Sequence, residues 1–204
     1  MAGTVRYTLL GDVVGSRRLA DRAGAQQALG TALAEVNRVL APAQALEPTV
    51  GDEFQGAFDS LSQALLGGLL VRLALVPEVD VRCGVGVGEV TVHDASRRPL
   101  LQDGPGWWAA REALEELAAP RHTSGRTWYV GADSGPVNAF LVSRDALVDR
   151  LSDRGRRMVR MALLGQTQQQ IAEAEGISKS AVSQQFARGI GAIRDAHASF
   201  AGKE

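Results

Sequence analysis

Two Gly-Asp pairs, each beside a hydrophobic run, are the residues best suited to chemistry in this chain of 204 residues. Gly11-Asp12 lies inside TLLGDVVGSR, and Gly51-Asp52 lies inside TVGDEFQGAF. A carboxylate at the end of an apolar strand is costly to desolvate unless a positive charge meets it. Mg²⁺ prefers oxygen ligands and is often held by one or two carboxylates plus phosphate oxygens. We therefore predict that Asp12 and Asp52 bind Mg²⁺ together with a polyphosphate.

The segment that directly follows the first pair is predicted to hold the phosphates. Its backbone N–H groups and its arginine suit phosphate oxygens, and its residues are Val13, Val14, Gly15, Ser16 and Arg17. Gly-Asp is also an ordinary turn pair. The alternative is that Asp12 and Asp52 are turn or capping residues in a domain without a ligand.

Strands and helices alternate along the first 150 residues and would have to position these groups. The predicted elements are a buried strand at 5–14, a helix from 21 stopped by Pro42, a hairpin over 46–58, a helix at 61–76, a strand at 79–92, a polar loop at 93–104, a helix at 105–118, a strand at 127–130 and a helix at 133–147. This order predicts an antiparallel sheet with helices on one side. Asp52 at the hairpin tip would then face Asp12 at the end of the first strand.

A glycine stripe marks the strand VDVRCGVGVGEVTV. Gly84, Gly86 and Gly88 alternate onto one face of it. Glycine weakens the interior of a strand unless a ligand or another backbone approaches closely there. The stripe therefore predicts that a ligand or another backbone segment approaches this face of the strand closely.

Residues 1–150 resemble the SatD family in the strings GDVVGSR, GDEFQG, GVGVGEVT and DGPGWWAAREAL. That family in turn resembles the palm fold of class III nucleotidyl cyclases and GGDEF diguanylate cyclases. The resemblance implies an α+β, ferredoxin-like antiparallel sheet with helices. It also implies that Asp12 and Asp52 match the two aspartates that bind metal and a nucleoside triphosphate in those enzymes.

The catalytic positions of those cyclases match less well. Their helix carries an asparagine and an arginine four residues apart, and here Trp107 and Arg111 stand in these places. No lysine for reading adenine precedes residue 179. The pattern implies a nucleotide sensor that binds ATP, in preference to GTP, with Arg111 on the phosphates. Arg111 could instead pair with Glu115 on its own helix, and Trp107 and Trp108 could stack on a base or fill the core.

A change to an all-helical pattern places a boundary near residue 150, giving domains at 1–150 and 151–204. The string QTQQQIAEAEGISKSAVSQQFARGIGAIR resembles helix-turn-helix modules of the sigma-region-4 and LuxR type. In such modules the start of the last helix enters the major groove of double-stranded DNA. The predicted DNA-binding residues are Gln168, Ser178, Lys179, Ser180, Ser183, Gln184 and Arg188, with arginines 154, 156 and 157 on the backbone. The alternative is a three-helix module that binds protein.

Composition sets limits on these interpretations. Residues 151–204 hold eight Lys/Arg and five Asp/Glu, so a modestly basic segment follows an acidic one, which is compatible with DNA contact. No apolar run reaches the roughly 18 residues that span a bilayer. A single cysteine, Cys83, and no recognisable leader favour the cytoplasm.

The sequence thus predicts a nucleotide-responsive, DNA-binding transcriptional regulator that binds Mg–NTP and acts as a homodimer. The first alternative is an active nucleotidyl cyclase or NTP hydrolase with a DNA-binding tail. The second is an adaptor that binds neither nucleotide nor DNA.

Overall fold

A computed structural model describes residues 3–119 and 125–201. The chain divides into two compact units, Met1–Asp145 and Ala146–Glu204. The described part of the first is mixed α+β and that of the second is helical. The elements of the first are β1 (Thr4–Val13), a 3₁₀ turn (Ser16–Arg18), α1 (Arg22–Leu40), β2 (Gln44–Pro48), β3 (Glu53–Phe58), α2 (Leu61–Leu75), β4 (Val81–Asp94), β5 (Leu101–Asp103), α3 (Pro105–Ala118), β6 (Thr127–Val130) and α4 (Ser134–Asp149), which continues past the division.

The sheet has β1 near its centre. Its strand order is β2-β3-β1-β4, and these neighbours are antiparallel. Both β5 and β6 pair with β4, β6 in the parallel sense. This agrees with the predicted pairing of the first strand with the hairpin, and it brings the end of β1 and the starts of β3 and β4 to one end of the sheet.

Helices cover both faces of the sheet, so the prediction of helices on one side is wrong. Successive strand residues point to opposite faces. On one face, a Cβ added at Gly68 of α2 would lie 3.3 Å from the Cys83 side chain. On the other, a Cβ added at the adjacent Gly84 would lie 2.3 Å from the carbonyl oxygen of Ala110 in α3. The glycine stripe allows this second helix layer, and the approaching group is another backbone.

The segment at 93–104, predicted as a loop, is partly strand. β4 extends to Asp94, and β5 pairs with it through Thr91–Asp103 and Val92–Gln102. The register shifts between Val92 and Asp94, and this irregularity with polar residues hides the alternation that a sequence pattern detects.

The second unit contains four further α-helices and a π-helical segment, Phe186–Ile190, within its described residues. The α-helices are α5 (Asp153–Leu163), α6 (Gln168–Glu175), α7 (Lys179–Gln185) and α8 (Gly191–Ala201). Thr167 forms a capping box with Gln170, Gly176 has a φ of 64° at the end of α6, and the Ser178 side chain accepts from the Ala181 N–H. These caps fix the start and end of α6 and the start of α7. Among the described residues, no helix is long and apolar enough to cross a membrane.

Candidate functional site

Asp12, Glu53 and Arg82 lie side by side at the end of the sheet where β1 ends and β3 and β4 begin, hereafter the charged sheet edge. Asp12 is the register partner of Glu53 on one side and of Arg82 on the other. Arg82 donates from Nε to Asp12 Oδ1 at 3.0 Å and from Nη2 to Oδ2 at 2.6 Å. This hydrogen-bonded pair raises the pKa of Arg82, and the nearby charge of Asp52 adds to the effect. The Asp12 carboxylate is therefore paired with a guanidinium.

Arg111 of α3, predicted to contact phosphates, pairs with Glu53 and not with Glu115, the alternative partner on its own helix. Its Nη1 and Nη2 donate to the two carboxylate oxygens of Glu53, both at 2.9 Å. The hydrogen bonds raise the pKa of Arg111, with smaller contributions from the charges of Glu115 and Asp12. The two parallel hydrogen bonds match the planar guanidinium fork to the Glu53 carboxylate. Contact between Arg111 and a phosphate would require Glu53 to release it.

Asp52 lies at the turn that leads into β3, beside the end of β1. Its carbonyl oxygen accepts the Val13 N–H at 3.2 Å. Gly51 has a φ of 76°, a conformation that glycine adopts without strain. The carbonyl oxygen of Gly51 accepts from Gln26 Nε2 of α1 at 2.6 Å. The two Gly-Asp motifs are thus brought to one edge of the sheet, although only the second glycine serves a turn. A Cβ at Gly11 would lie 2.1 Å from the ring of Phe54, so Gly11 makes room for core packing.

The predicted phosphate segment, residues 13–17, forms a bend and the start of a 3₁₀ turn. The Val14 N–H donates to the carbonyl oxygen of Asp80 at 2.9 Å. Gly15 has a φ of 67°, and Arg17 is exposed. A small cavity of about 20 Å³ lies against this segment, room for about one water molecule. It is lined by Val13, Ser16, Leu19, Arg22, Ala25, Gln26 and Asp52. A triphosphate would have to bind outside this cavity, along the exposed rim.

These residues fit Mg²⁺ only when phosphate oxygens accompany it. Among the residues that the structure describes, no group of three or more His, Cys, Asp or Glu side chains could hold a metal by itself. Asp12 and Asp52 provide two carboxylates on adjacent backbone segments. Mg²⁺ often takes one or two carboxylates and completes its shell with phosphates and water. The cation would neutralise phosphate charge there, at the cost of displacing Arg82 from Asp12.

The two tryptophans of α3 have different environments. Trp107 is 8% exposed and packs with Leu10, Val90 and Leu114, so it belongs to the core. Trp108 is 60% exposed, and its Nε1 donates to Asp103 Oδ1 at 2.7 Å. Trp107 is therefore inaccessible for stacking on a base.

Sequence reasoning missed Arg82, Glu53 and Asp80, the residues that surround the predicted ligands. Arg82 is the one charged side chain in the run VRCGVGVG, and a charge in an otherwise apolar strand was the signal that could have identified it. Glu53 stands beside Asp52 in the same motif. Asp80 gave no sequence signal because its role depends on distant arginines.

The predicted DNA-contacting residues form a largely exposed surface on the second unit. Ser178, Lys179, Ser180, Ser183, Gln184 and Arg188 are exposed, and Gln168 is half-buried. Val182 and Phe186 on the other side of this segment are buried. The Ser178 and Ser180 hydroxyl groups lie 2.9 Å apart and form a hydrogen bond.

All three α5 arginines expected on the DNA backbone have partners in the structure, Arg154 through an ion pair with Glu175 at 3.6 Å. Arg157 donates from Nε and Nη2 to the two oxygens of Glu175, at 2.8 and 2.7 Å. These bonds hold the pKa of Glu175 below its usual range. Arg156 donates to the carbonyl oxygens of Val148 and Asp149. Both arginines therefore hold helices in place.

Structural comparison shows a fold shared with nucleotide cyclases. The chain resembles a bacterial light-regulated adenylyl cyclase with a TM-score of 0.50 and 9% identity, covering 63% of this chain and 43% of that one. Weaker similarities include the guanylyl cyclase Cya2 (TM-score 0.44, 15% identity, 57% and 73% covered) and the GGDEF domain of DgcB from Caulobacter crescentus in complex with c-di-GMP (0.44, 17%, 62% and 78%). The chain thus spans less than half of the first of these proteins. None of the curated proteins compared with it matches significantly.

Comparison with family models gives a direct assignment. The model of the SatD family matches residues 7–190, which include the charged sheet edge, the glycine stripe and most of the second unit. The chain therefore belongs to the SatD family.

Proposed function

We propose that the first unit binds a Mg²⁺–nucleoside triphosphate, ATP in preference to GTP, and that the second unit binds double-stranded DNA as a transcriptional regulator whose affinity depends on the nucleotide. The observation that carries this proposal is that the two Gly-Asp motifs lie next to each other. The Val13 N–H reaches the Asp52 carbonyl oxygen, and Arg82 is bidentate on Asp12.

The charge arrangement supports a ligand that brings both a cation and an anion. Arg82 and Arg111 balance the charges of Asp12 and Glu53. Asp12 would hold Mg²⁺ through its carboxylate, and the Arg82 guanidinium would then be available to phosphate oxygens beside it. A guanidinium binds phosphate as readily as carboxylate. The exposed Arg17 on the adjacent turn adds a further positive charge.

Binding without efficient turnover is supported by two features of α3. Trp107 is buried where the resemblance to cyclases would require an asparagine. Arg111, at the arginine position, is held by Glu53. Nucleotide would then act by favouring one conformation over another, which requires different affinity for the two states.

The second unit supports DNA binding through its exposed polar segment. The glycine turn at Gly176 joins α6 to α7, and Lys179, Gln184 and Arg188 are exposed along the following segment. Gln suits adenine, and Lys suits guanine or phosphate. A homodimer would present two such segments to half-sites about one helical turn apart.

The test is DNA affinity measured by fluorescence anisotropy on genomic fragments, with and without saturating Mg–ATP or Mg–GTP. We expect the affinity to change by about fivefold or more, the lower range of allosteric coupling. If calorimetry shows that the nucleotide binds but the affinity for DNA stays the same, the nucleotide does not regulate DNA binding.

Lys179→Gln provides the matched variant for the DNA face in the same assay. Loss of one phosphate contact should reduce the salt slope by about one. Arg97→Gln, which removes an exposed positive charge from the first unit, should leave affinity unchanged. If both variants lower the DNA affinity equally, DNA is attracted by the overall charge and not by a specific surface around Lys179.

The alternative, an active cyclase or NTP hydrolase, is tested on the same preparation. We expect labelled ATP and GTP to remain intact when incubated with Mg²⁺ or Mn²⁺ and analysed by chromatography. Cyclic nucleotide, dinucleotide or diphosphate formation that disappears in Asp12→Ala would make the enzyme interpretation the correct one.

A further inference from the structure

Asp80, the residue before β4, joins three parts of the first unit. Its Oδ1 accepts from Arg72 Nε of α2 at 2.7 Å, and its Oδ2 accepts from Arg126 Nε at 2.6 Å. Burial alone would raise the pKa of Asp80, but the hydrogen bonds and charges of the two arginines outweigh it and lower that pKa. The carboxylate is therefore ionised and fixed between two guanidinium groups.

The same residue holds the predicted phosphate segment through its backbone. Its carbonyl oxygen accepts the Val14 N–H at 2.9 Å. A phosphate that binds the 13–17 segment competes for such N–H groups or shifts the segment that carries them. A shift at Val14 would act on the backbone of Asp80, whose side chain is held by Arg72 and Arg126.

Arg126 connects Asp80 to the start of β6 and to α4. Its own N–H and that of Thr127 both donate to Asp145 Oδ2 at 2.8 Å. Asp145 Oδ1 accepts from Arg144 Nη2 at 2.8 Å, and both of these side chains are 1% exposed. A buried ion pair resists rearrangement, because separating it leaves a charge without compensation. Asp145 is also the last residue of the first unit, and α4 continues beyond it to Asp149.

We propose that Val14, Asp80, Arg126 and Asp145 form a polar relay that transmits occupancy of the 13–17 segment to α4, the helix that leads into the second unit. The proposal rests on the proposed nucleotide binding and names the route by which that binding acts. Contiguous contacts alone are no demonstration of coupling, so the relay is defined by its response to ligand.

Hydrogen–deuterium exchange on the full chain, with Mg–ATP or Mg–GTP as the probe, tests the relay. In the unchanged protein we expect nucleotide to alter amide exchange in 126–130 and 141–149 by about fivefold or more. In Asp80→Asn we expect nucleotide affinity to stay within about threefold, since Asp80 holds the segment through its carbonyl group, while the response of 141–149 is lost.

Two further variants keep the test decisive. Asp59→Asn removes an exposed carboxylate paired with Arg6 and should retain the full response. Arg126→Lys keeps the positive charge and the backbone N–H but loses the Nε–H that donates to Asp80, so it should reduce the response even if Asp80→Asn fails to fold.

The outcomes separate the relay from the function on which it rests. Nucleotide that binds the unchanged protein without altering exchange in 141–149 overturns the relay alone. A full response in Asp80→Asn or in Arg126→Lys also overturns it. Absence of nucleotide binding in the unchanged protein, measured by calorimetry, overturns the proposed function and the relay together.

Discussion

Gly86→Ala is expected to destabilise the first unit by about 3 kcal/mol, the upper range for overpacking a filled core. A Cβ at this position would lie 2.3 Å from the amide nitrogen of Ala110 and 2.6 Å from the carbonyl oxygen of Gly106. Both contacts are to helix backbone, which cannot turn away as a flexible side chain can. Thermal unfolding should show a loss of about 10 °C in Tm.

Gly30→Ala is the matched control on α1. Nothing lies within 4 Å of a Cβ at Gly30, and the residue is exposed within the helix. Alanine is favoured over glycine in a helix by about 1 kcal/mol, so this variant should unfold at a slightly higher temperature. If Gly86→Ala unfolds at the temperature of the unchanged protein, α3 does not lie on the glycine stripe.

The same stripe explains how far the sequence predicts the fold. Alternating glycines at 84, 86 and 88 indicate a close approach but do not identify the approaching group. The helical pattern of 105–118 was clear, yet which sheet face it covers depends on which side of β4 carries the glycines. Local signals therefore predict elements and caps, whereas the placement of layers requires the register between strands.

The candidate site shows the same division. Asp12 and Asp52 could be identified from the motifs because each carboxylate follows an apolar run. Their neighbours could not, since Arg82 is 70 residues from Asp12 in the chain and the two meet only through the antiparallel register. Arg111 was identified as a phosphate contact, with Glu115 as the alternative partner that helical spacing offers, but its pairing with Glu53 of the sheet could not be read from the sequence. Long-range ion pairs are decided by tertiary packing, and no periodicity encodes them.

The charged sheet edge makes the affinity for Mg²⁺ depend on the phosphates that accompany it. An ion pair between Asp12 and Arg82 competes with a metal for the carboxylate, so the bare cation gains little. A nucleotide that brings phosphates compensates the released guanidinium and makes the exchange favourable. We therefore expect weak binding of Mg²⁺ alone and a strong dependence of nucleotide binding on Mg²⁺.

Asp12→Asn is accordingly expected to reduce the affinity for Mg–ATP and Mg–GTP by about a hundredfold. A charge-assisted interaction of this kind contributes about 1.5–3 kcal/mol, and the site has few other anionic ligands to replace it. Asparagine keeps the size of the side chain and leaves Arg82 without its carboxylate partner. Binding in EDTA should therefore stay equal or increase, because the freed guanidinium attracts phosphate. Calorimetry with and without Mg²⁺ measures both quantities on one protein.

Asp59→Asn is the matched control for this change. Asp59 pairs with Arg6 of β1 at 2.9 Å, so it offers another aspartate–arginine pair on the same strand, but away from the charged sheet edge. Its loss should leave Mg–nucleotide affinity unchanged. If Asp12→Asn keeps its Mg²⁺-dependent affinity, Asp12 holds Arg82 for structural reasons and the metal binds elsewhere. If both variants weaken binding equally, the effect arises from overall charge. Only the loss of a direct metal ligand should lower both the nucleotide affinity and its dependence on Mg²⁺.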